Sequence, residues 1–309
     1  MNSRNKFLLW LLGGMVLAGV TACSGSDDEP GKPDNDGVKV RHITITETEE
    51  EAARQIMTRA SLAEGDGILT ALWTADDGLT YCNLSRVDRD NSDAPYSGLL
   101  IANSTAATSQ FTGNVTCSKG DYLAVVYPPT TFVTNESYTL SLTGQDGTLS
   151  KLATNYHHVY GRAYVTKATE TTADATMLKM KSLLTVCKFS FIDKASNVAI
   201  PIQTLTISYG GSGSDAGKYP QTATVAIIEN NDILSQADVH AEGVAGNSPL
   251  LLEGLRDASE VYVALLPTTG QRTFNFTVTN TNGTYTGTAK ATLVEGEYVD
   301  ATGLKLTKQ

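Results

Sequence analysis

The residue with the most definite chemistry is Cys23, one of four cysteines in a chain of 309 residues. It follows a leader in which Arg4 and Lys6 precede an apolar run over residues 7–20. That run is shorter than the about 20 apolar residues that a permanent membrane-spanning helix needs, and small residues follow it. The pattern predicts a lipoprotein signal peptide over residues 1–22 and acylation of the Cys23 thiol. The alternative is an ordinary secretory signal with an incidental cysteine.

A single arginine, Arg59, is the second residue whose position suggests chemistry. In the stretch IMTRAS it separates an acidic run from the first apolar segment, which begins at Ile68. Two interpretations are open at this point. Arg59 is either an ordinary linker residue or the place where a protease cuts the chain before Ala60, and the choice depends on what lies upstream.

A strand candidate lies upstream of Arg59, over residues 38–46, which are rich in β-branched residues. Side chains alternate along a strand, so Val38 and Val40 lie on one face and Ile43 and Ile45 on the other. A β-bulge would bring the two apolar pairs onto one face. A plain tether would need none of these apolar residues, so the pattern favours a strand before the candidate cut.

The stretch between Cys23 and this strand, SGSDDEPGKPDNDG, is predicted to be a solvated tether because it has almost nothing to bury. Its acidic cluster Asp27-Asp28-Glu29 is similar to the surface-export signal of lipoproteins from some Gram-negative anaerobes, which predicts the outer face of the outer membrane. A merely soluble linker is the alternative. The formal net charge of −10 argues against nucleic acid as a partner and against electrostatic docking on anionic lipid.

The other reactive side chains predict no catalytic, cofactor or metal site. His157 and His158 are neighbours on a predicted strand and point to opposite faces, so they cannot hold one ion together. The glycine-rich stretch 209–220 lacks the first glycine, the Ser or Thr and the following helix of a phosphate-binding loop. No serine or cysteine stands in a nucleophile motif. We therefore do not expect an enzyme.

Three cysteines follow Cys23, and their spacing fits no zinc motif. Cys187 lies in an apolar strand pattern and is predicted to be a buried thiol. Cys82 and Cys117 either pair in an oxidising compartment or stay reduced, and their spacing does not decide between the two.

Alternating apolar and polar residues between short turn-rich stretches indicate an all-β protein. A hairpin is predicted over residues 272–293, with a type I′ turn at Asn282-Gly283. The stretch 170–176 has few apolar residues and predicts a boundary between two halves of ordinary domain size. The other predicted strands are 121–128, 137–142, 157–169, 178–192, 202–210 and 222–228.

Five motifs in order along the chain resemble those of the fimbrillin-like family of Gram-negative anaerobes, whose members build or decorate type V pili. The resemblance spans most of residues 1–306. The motifs are the lipobox at Cys23 with Thr58-Arg59-Ala60, FTGNVTCSKGDYLAVVYPP at 111–129, SLLTVCKFSFI at 182–192, VYVALLPTTGQRTFNFTVTNTNGTYTGT at 261–288 and LVEGEYVDATGLKL at 293–306.

The resemblance implies an all-β fold of two β-sandwich domains in series, of transthyretin-like topology. Residues 1–22 are then the signal peptide and 23–59 the acidic tether with a removable strand. Residues 60–174 and 175–309 are the N-terminal and C-terminal sandwiches.

The resemblance also implies a maturation route. The chain is exported as a lipoprotein to the outer membrane, and an arginine-specific surface protease cuts it after Arg59. The cut removes the strand that contains Val38, Val40, Ile43 and Ile45. A strand from another pilus subunit then fills the vacated groove by β-strand addition, and the resulting fimbriae contribute to cell adhesion.

Other hypotheses compete with this one. Polymerising members of the family carry a C-terminal donor extension, whereas this sequence ends in GLKLTKQ, which fits a short donor or a tip subunit that only accepts a strand. A permanently lipid-anchored binding or pilus-anchoring protein, for example for glycans, is the alternative function. Only two tryptophans, Trp10 and Trp73, argue against a sugar platform. An unrecognised hydrolase ranks last.

Overall fold

A computed structural model describes residues 39–47, 61–65, 68–86, 96–134, 137–178, 180–229, 232–233 and 235–309. The described residues from Lys39 onward belong to one compact unit. The helical segments are α1 (Leu149–Lys151), a π-helical turn (Leu152–Tyr156) and a 3-10 turn (Gln236–Asp238). The strands are β1 (Lys39–Glu47), β2 (Ser61–Gly65), β3 (Ile68–Leu72), β4 (Gly78–Asn83), β5 (Ser97–Ala102), β6 (Gln110–Cys117), β7 (Tyr122–Tyr127), β8 (Phe132–Thr134), β9 (Ser137–Ser141), β10 (Val159–Ala168), β11 (Thr172–Met177), β12 (Lys181–Ser182), β13 (Thr185–Asp193), β14 (Ile202–Tyr209), β15 (Thr222–Ala226), β16 (Ile228–Glu229), β17 (Asp232–Ile233), β18 (Ala241–Gly243), β19 (Leu250–Ala258), β20 (Val261–Leu265), β21 (Arg272–Asn280), β22 (Gly283–Ala291) and β23 (Tyr298–Lys308).

The first large sheet closes on itself. Its strands run in the order β11-β1-β6-β5-β4-β7-β10-β12, and β10 also pairs with β11. Seven strands therefore form a hydrogen-bonded circuit, to which the short β12 is added at β10. In a closed circuit, each strand has a hydrogen-bonded neighbour on both sides, so no strand edge is left unpaired. β1 is one of the seven, so the circuit depends on it.

The interior of this circuit holds its own apolar core. The sequence of β7 is apolar at successive positions because both of its faces are buried. Leu123 and Val125 point into the circuit, while Ala124 and Val126 pack outward on a second core. Inside, Trp73 contacts Phe111 and Tyr127 edge to face, with ring centroids 4.8 and 5.6 Å apart. β1 contributes Ile43 and Ile45, both fully buried, to the same core.

The second large sheet runs in the order β19-β14-β21-β22-β23-β13-β20. Its apolar face includes Phe189, Phe191 and Phe276, whose rings pack 5.2 to 6.2 Å apart. This core is continuous with the outer face of the first sheet, through residues such as Cys82 and Tyr160. The protein is thus all-β, as predicted, with two sheet bodies in series.

A smaller sheet links the two halves of the chain. Its order is β18-β15-β9-β8, so strands from before and after the predicted boundary share hydrogen bonds. The boundary predicted between residues 174 and 175 falls within β11, a strand of the first sheet. The division into residues 60–174 and 175–309 stays a prediction.

The predicted strands each contain at least one observed strand, and the predicted hairpin is β21–β22. Its predicted turn is wrong. Asn280 pairs with Gly283, so Thr281 and Asn282 form the two-residue loop, and of the two predicted turn residues only Gly283 has a positive φ. The Asn280 side-chain oxygen accepts a hydrogen bond from the Asn282 backbone N–H at 2.8 Å, which stabilises this turn without a left-handed asparagine.

Among the described residues, no helix is long and apolar enough to cross a membrane.

Candidate strand-binding site

The candidate site is the groove between β6 and β11 that β1 occupies, which we call the β1 seat. β1 runs antiparallel to β6 and parallel to β11, with unbroken register on both sides. Ile43 lies opposite Gly113 on one neighbour and Ala173 on the other. Neither neighbour is close to β1 in sequence, so β1 is held by tertiary contacts alone.

The middle of the seat is apolar. Ile43 and Ile45 have no exposed surface, and they pack in the core with Trp73 and Phe111. Full burial of an aliphatic side chain of this size stabilises a fold by about 1.5–3 kcal/mol. The two isoleucines predicted as part of the strand are therefore its main apolar contacts.

One end of the seat holds a buried cation. Arg41 has no exposed surface, although arginine is almost never fully buried unless it is paired. Its Nε donates to the backbone oxygen of Thr169 at 2.6 Å, and its guanidinium also donates to the backbone oxygen of Cys117. The guanidinium thus ties β1 to the chain just before β11 and to the end of β6.

The other end of the seat holds a buried carboxylate. Glu47 is 8% exposed, and its Oε2 accepts a hydrogen bond from the Trp73 indole Nε1 at 3.1 Å. An indole N–H is a donor only, so it needs an acceptor when it is buried. Along the inward face, the strand therefore reads Arg41, Ile43, Ile45, Glu47, with charge at both ends.

The exposed side chains of β1 show that the sequence-based assignment of its inward face was wrong. Val40 is 64% exposed, and no bulge brings it inward, because the pairing with β6 and β11 is regular. Arg41 takes the inward position that a bulge would have given to valine. At the start of β1, the partly exposed Lys39 forms a salt bridge of 2.8 Å with Glu170. Val38 lies outside the described residues.

Three other predicted site residues, Cys23, Arg59 and Ala60, also lie outside the described residues. The chain is described again from Ser61, where β2 begins. β2 pairs with β3 as a hairpin, and β3 leads directly to Trp73 in the core. The candidate cut therefore lies between β1 and this hairpin.

The hairpin is attached to the second sheet through Glu64. Its carboxylate accepts hydrogen bonds from Lys188 Nζ at 2.8 Å, from the Tyr262 hydroxyl at 2.5 Å and from the Tyr298 hydroxyl at 2.6 Å. Lys188 also contacts Glu260 at 3.1 Å. The hydrogen bonds from Lys188, Tyr262 and Tyr298 lower the pKa of Glu64 to about 2.

The structure buries His158 and the three cysteines that it describes. Burial lowers the pKa of His158 to about 3, and neither of its ring nitrogens has a hydrogen-bond partner. Burial raises the pKa of Cys82 to about 12 and that of Cys117 to about 11, which keeps both thiols protonated at neutral pH. Within the described part of the chain, no group of three or more His, Cys, Asp or Glu side chains could hold a metal ion.

The possible pairing of Cys82 with Cys117 is not observed. Both are buried thiols, and they lie in different cores: Cys117 points into the closed sheet, and Cys82 packs against its outside. Cys187 is a buried thiol, as predicted, and burial raises its pKa to about 12.

Sequence reasoning missed Arg41, Glu47 and Glu64 as site residues. For the first two a signal was present, because Arg41, Ile43, Ile45 and Glu47 follow a strict period of two. Because Val38 and Val40 are apolar, their face of the strand was interpreted as buried, and Arg41 and Glu47 were overlooked. Glu64 carried no local signal, since its partners lie 124 to 234 residues away.

Comparisons with known proteins give weak similarities only. No protein-family model and no curated protein matches the chain. The solved structures that match include pilins. At these identities and TM-scores, they assign neither a family nor a function. They include the shaft pilin SpaA of Lactobacillus rhamnosus GG (9% identity, TM-score 0.31, 88% of this chain and 98% of that one), a streptococcal ancillary pilin (10%, 0.30, 87% and 69%) and the minor pilin GBS52 of Streptococcus agalactiae (10%, 0.24, 87% and 96%).

Proposed function

We propose that this protein is a structural subunit of surface fimbriae, stalk or tip, that is exported as a lipoprotein and assembled by strand exchange. In this proposal Cys23 carries lipid until an arginine-specific protease cuts between Arg59 and Ala60. The cut separates β1 from the rest of the chain, and a strand of another subunit replaces it. The assembled fimbria then contributes to cell adhesion.

The observation that carries the proposal is the position of β1. It closes the first sheet between two strands distant in sequence, and it is joined to the remaining chain only through residues 48–60, which include Arg59. Of the seven described strands of the circuit, β1 is the one that a single cut in the chain could detach without detaching another described strand.

Opening the circuit would create a strong binding site for another strand. Departure of β1 would leave the facing edges of β6 and β11 without backbone partners, and buried N–H and C=O groups require such partners. It would also expose the core positions that Ile43 and Ile45 fill. An added strand restores both kinds of contact, with backbone hydrogen bonds giving affinity and alternate side chains giving register.

The hairpin after the cut is suited to stay in place. The mature chain would begin at Ala60, and β2 starts one residue later. Glu64 holds β2 on the second sheet through three hydrogen bonds, and Leu69 of β3 is fully buried. Cleavage would therefore release β1 while the new N-terminus remains folded.

The experiment uses the lipid-free chain, residues 24–309, treated with an arginine-specific protease. We expect one stable product that starts at Ala60, followed by oligomers or by uptake of an added strand peptide. The variant Arg54→Lys/Arg59→Lys keeps the charge and removes both arginines of the segment 48–60, so this protease should leave β1 attached and the protein monomeric.

A different outcome would support the permanently anchored alternative. If Arg59 resists cleavage in the folded chain, or if the cut protein keeps β1 and takes up no strand, then Cys23 is a lasting anchor and β1 a fixed part of the fold. Binding of that uncut protein to a glycan array would then identify the anchored module's ligand.

A further inference from the structure

One end of the β1 seat offers acceptors to a basic side chain, and the other end offers a donor to an acidic side chain. We infer that the seat selects its strand by the order of these two charges along it. The preferred occupant is a strand that reads basic–x–aliphatic–x–aliphatic–x–acidic in the direction of β1. This inference rests on the proposed function and adds to it a specification of the partner strand.

The basic position is defined by acceptors that are fixed in the fold. The backbone oxygens of Thr169 and Cys117 both accept hydrogen bonds from the guanidinium of Arg41, which itself has no exposed surface. An aliphatic residue at this position would leave these oxygens without that donor, and a carboxylate there would face them directly. Buried polar groups without partners are costly, so both substitutions disfavour binding.

The acidic position is defined by a donor. The Trp73 indole N–H is buried and donates to Glu47. Trp73 is itself held by the edge-to-face contacts with Phe111 and Tyr127, so its N–H keeps its direction. A basic residue at this position would place a second donor against the indole N–H and remove the acceptor that Glu47 supplies.

The spacing between the basic and the acidic position fixes the register of the bound strand. Arg41 and Glu47 are separated by six residues and lie on the same face, with Ile43 and Ile45 between them. A slip of one residue would turn all four inward side chains outward. A slip of two residues would put an aliphatic side chain at one polar end and a charge in the apolar middle. The charged ends therefore exclude both errors, whereas an all-aliphatic strand could slide by two.

The test measures displacement of the cut N-terminal fragment by labelled nine-residue peptides. The lipid-free chain is cut after Arg59 and mixed with the peptide KVRHITITE, the sequence of β1. The comparison peptide exchanges the two charged inward residues and has the same composition and net charge (KVEHITITR). A third peptide carries Val40→Thr, a change on the exposed face that should leave affinity within about twofold, as expected for a surface site.

We expect the exchanged peptide to bind about 10- to 100-fold more weakly than the native one, the range that corresponds to losing hydrogen bonds of charged groups. Trp73 gives a second readout, because it is the only tryptophan after residue 59 and contacts the acidic position. Its emission should recover with the native peptide and not with the exchanged one.

The outcomes separate this inference from the proposed function. If the native peptide does not enter the cut protein at all, the strand-exchange function itself is wrong. If the native and exchanged peptides bind equally, strand exchange stands and selection by charge is wrong. The double variant Arg41→Glu/Glu47→Arg of the full lipid-free chain gives an independent check, since its N-terminal fragment should leave about 10-fold faster after the cut. An unchanged release rate would contradict the inference.

Discussion

The first and last strands of the described chain are held in different ways. β1 pairs in parallel with β11, and β23 pairs in parallel with β13, so each large sheet contains one terminal strand in a parallel pair. β1 buries four alternate side chains completely or almost so, whereas Leu306 is the only residue of β23 that is fully buried. The more deeply buried of the two strands is the one that the candidate cut at Arg59 would detach.

This difference shows that burial and covalent attachment are separate properties. β23 follows the rest of the second sheet without a candidate cut, and it contributes one buried residue, Leu306, and several half-buried apolar residues to that core. β1 is central to its core but joined to it through a segment that contains Arg59. Under the proposed function, cleavage at Arg59 would leave the first sheet with a site for a strand that need not be its own.

The largest expected effect is the loss of the apolar contacts of β1. Ile43→Ala with Ile45→Ala should lower the free energy of unfolding by about 2–5 kcal/mol for each site, which for both approaches the whole stability of a typical domain. Leu306→Ala in β23 should lower the free energy of unfolding by the contribution of one site only. Urea unfolding of residues 24–309, followed by Trp73 emission, measures both. A smaller effect for the double variant than for Leu306→Ala would reverse the comparison.

The next effect concerns the polar end of β1. Arg41→Met keeps most of the side-chain volume but removes the donor to the oxygens of Thr169 and Cys117, and it should lower the unfolding free energy by about 1.5–3 kcal/mol. Lys39→Met, at a partly exposed ion pair on the same strand, is the matched control, with an expected change of about 0–1 kcal/mol. Equal losses in urea unfolding would show that the buried end has no special role.

Glu64 tests the hairpin that the cut would leave behind. Its pKa of about 2 lies below the ordinary value of 4.5, so the carboxylate stabilises the fold above pH 4.5, and this contribution is lost as the pH falls from 4.5 toward 2. Glu64→Gln should cost about 1–2 kcal/mol at neutral pH and flatten the pH dependence in that window. Unfolding curves between pH 2 and pH 7 give the answer, and a variant with the wild-type pH dependence would exclude Glu64 as the attachment.

The smallest expected effect is at the exposed edge of β1. Glu170→Gln removes the surface ion pair with Lys39, in which the Glu170 side chain is 77% exposed, and it should change stability by no more than about 0.5 kcal/mol. Added salt should reduce even this difference. A loss above 1 kcal/mol in urea unfolding would mean that the exposed start of β1 contributes to holding it.

The sequence was sufficient to predict where the strands lie but not which residues of β1 hold it in its seat. Period-two alternation located the strands, including β1, because it reflects the pleat of each strand directly. It did not locate the turn of β21–β22, since the side chain of Asn280 stabilises a loop one residue earlier than the Asn-Gly pair suggests.

The face of β1 that points inward could not be read from hydrophobicity. Val40 is exposed and Arg41 is buried, the reverse of their usual preferences, because the backbone oxygens of Thr169 and Cys117 accept hydrogen bonds from the guanidinium there. Those oxygens come from positions 76 and 128 residues away in the chain. Only the assembled sheet brings them together.

The most direct test of the central claim is hydrogen exchange of the β6 and β11 backbone amides before and after cleavage at Arg59. The account predicts that these amides are protected in the intact lipid-free chain, lose protection when the cut fragment is removed, and regain it when KVRHITITE is added. The β13 and β14 amides of the second sheet should stay protected throughout. If β6 and β11 remain protected after the cut while excess peptide fails to displace the fragment, β1 is a permanent strand and the account is contradicted.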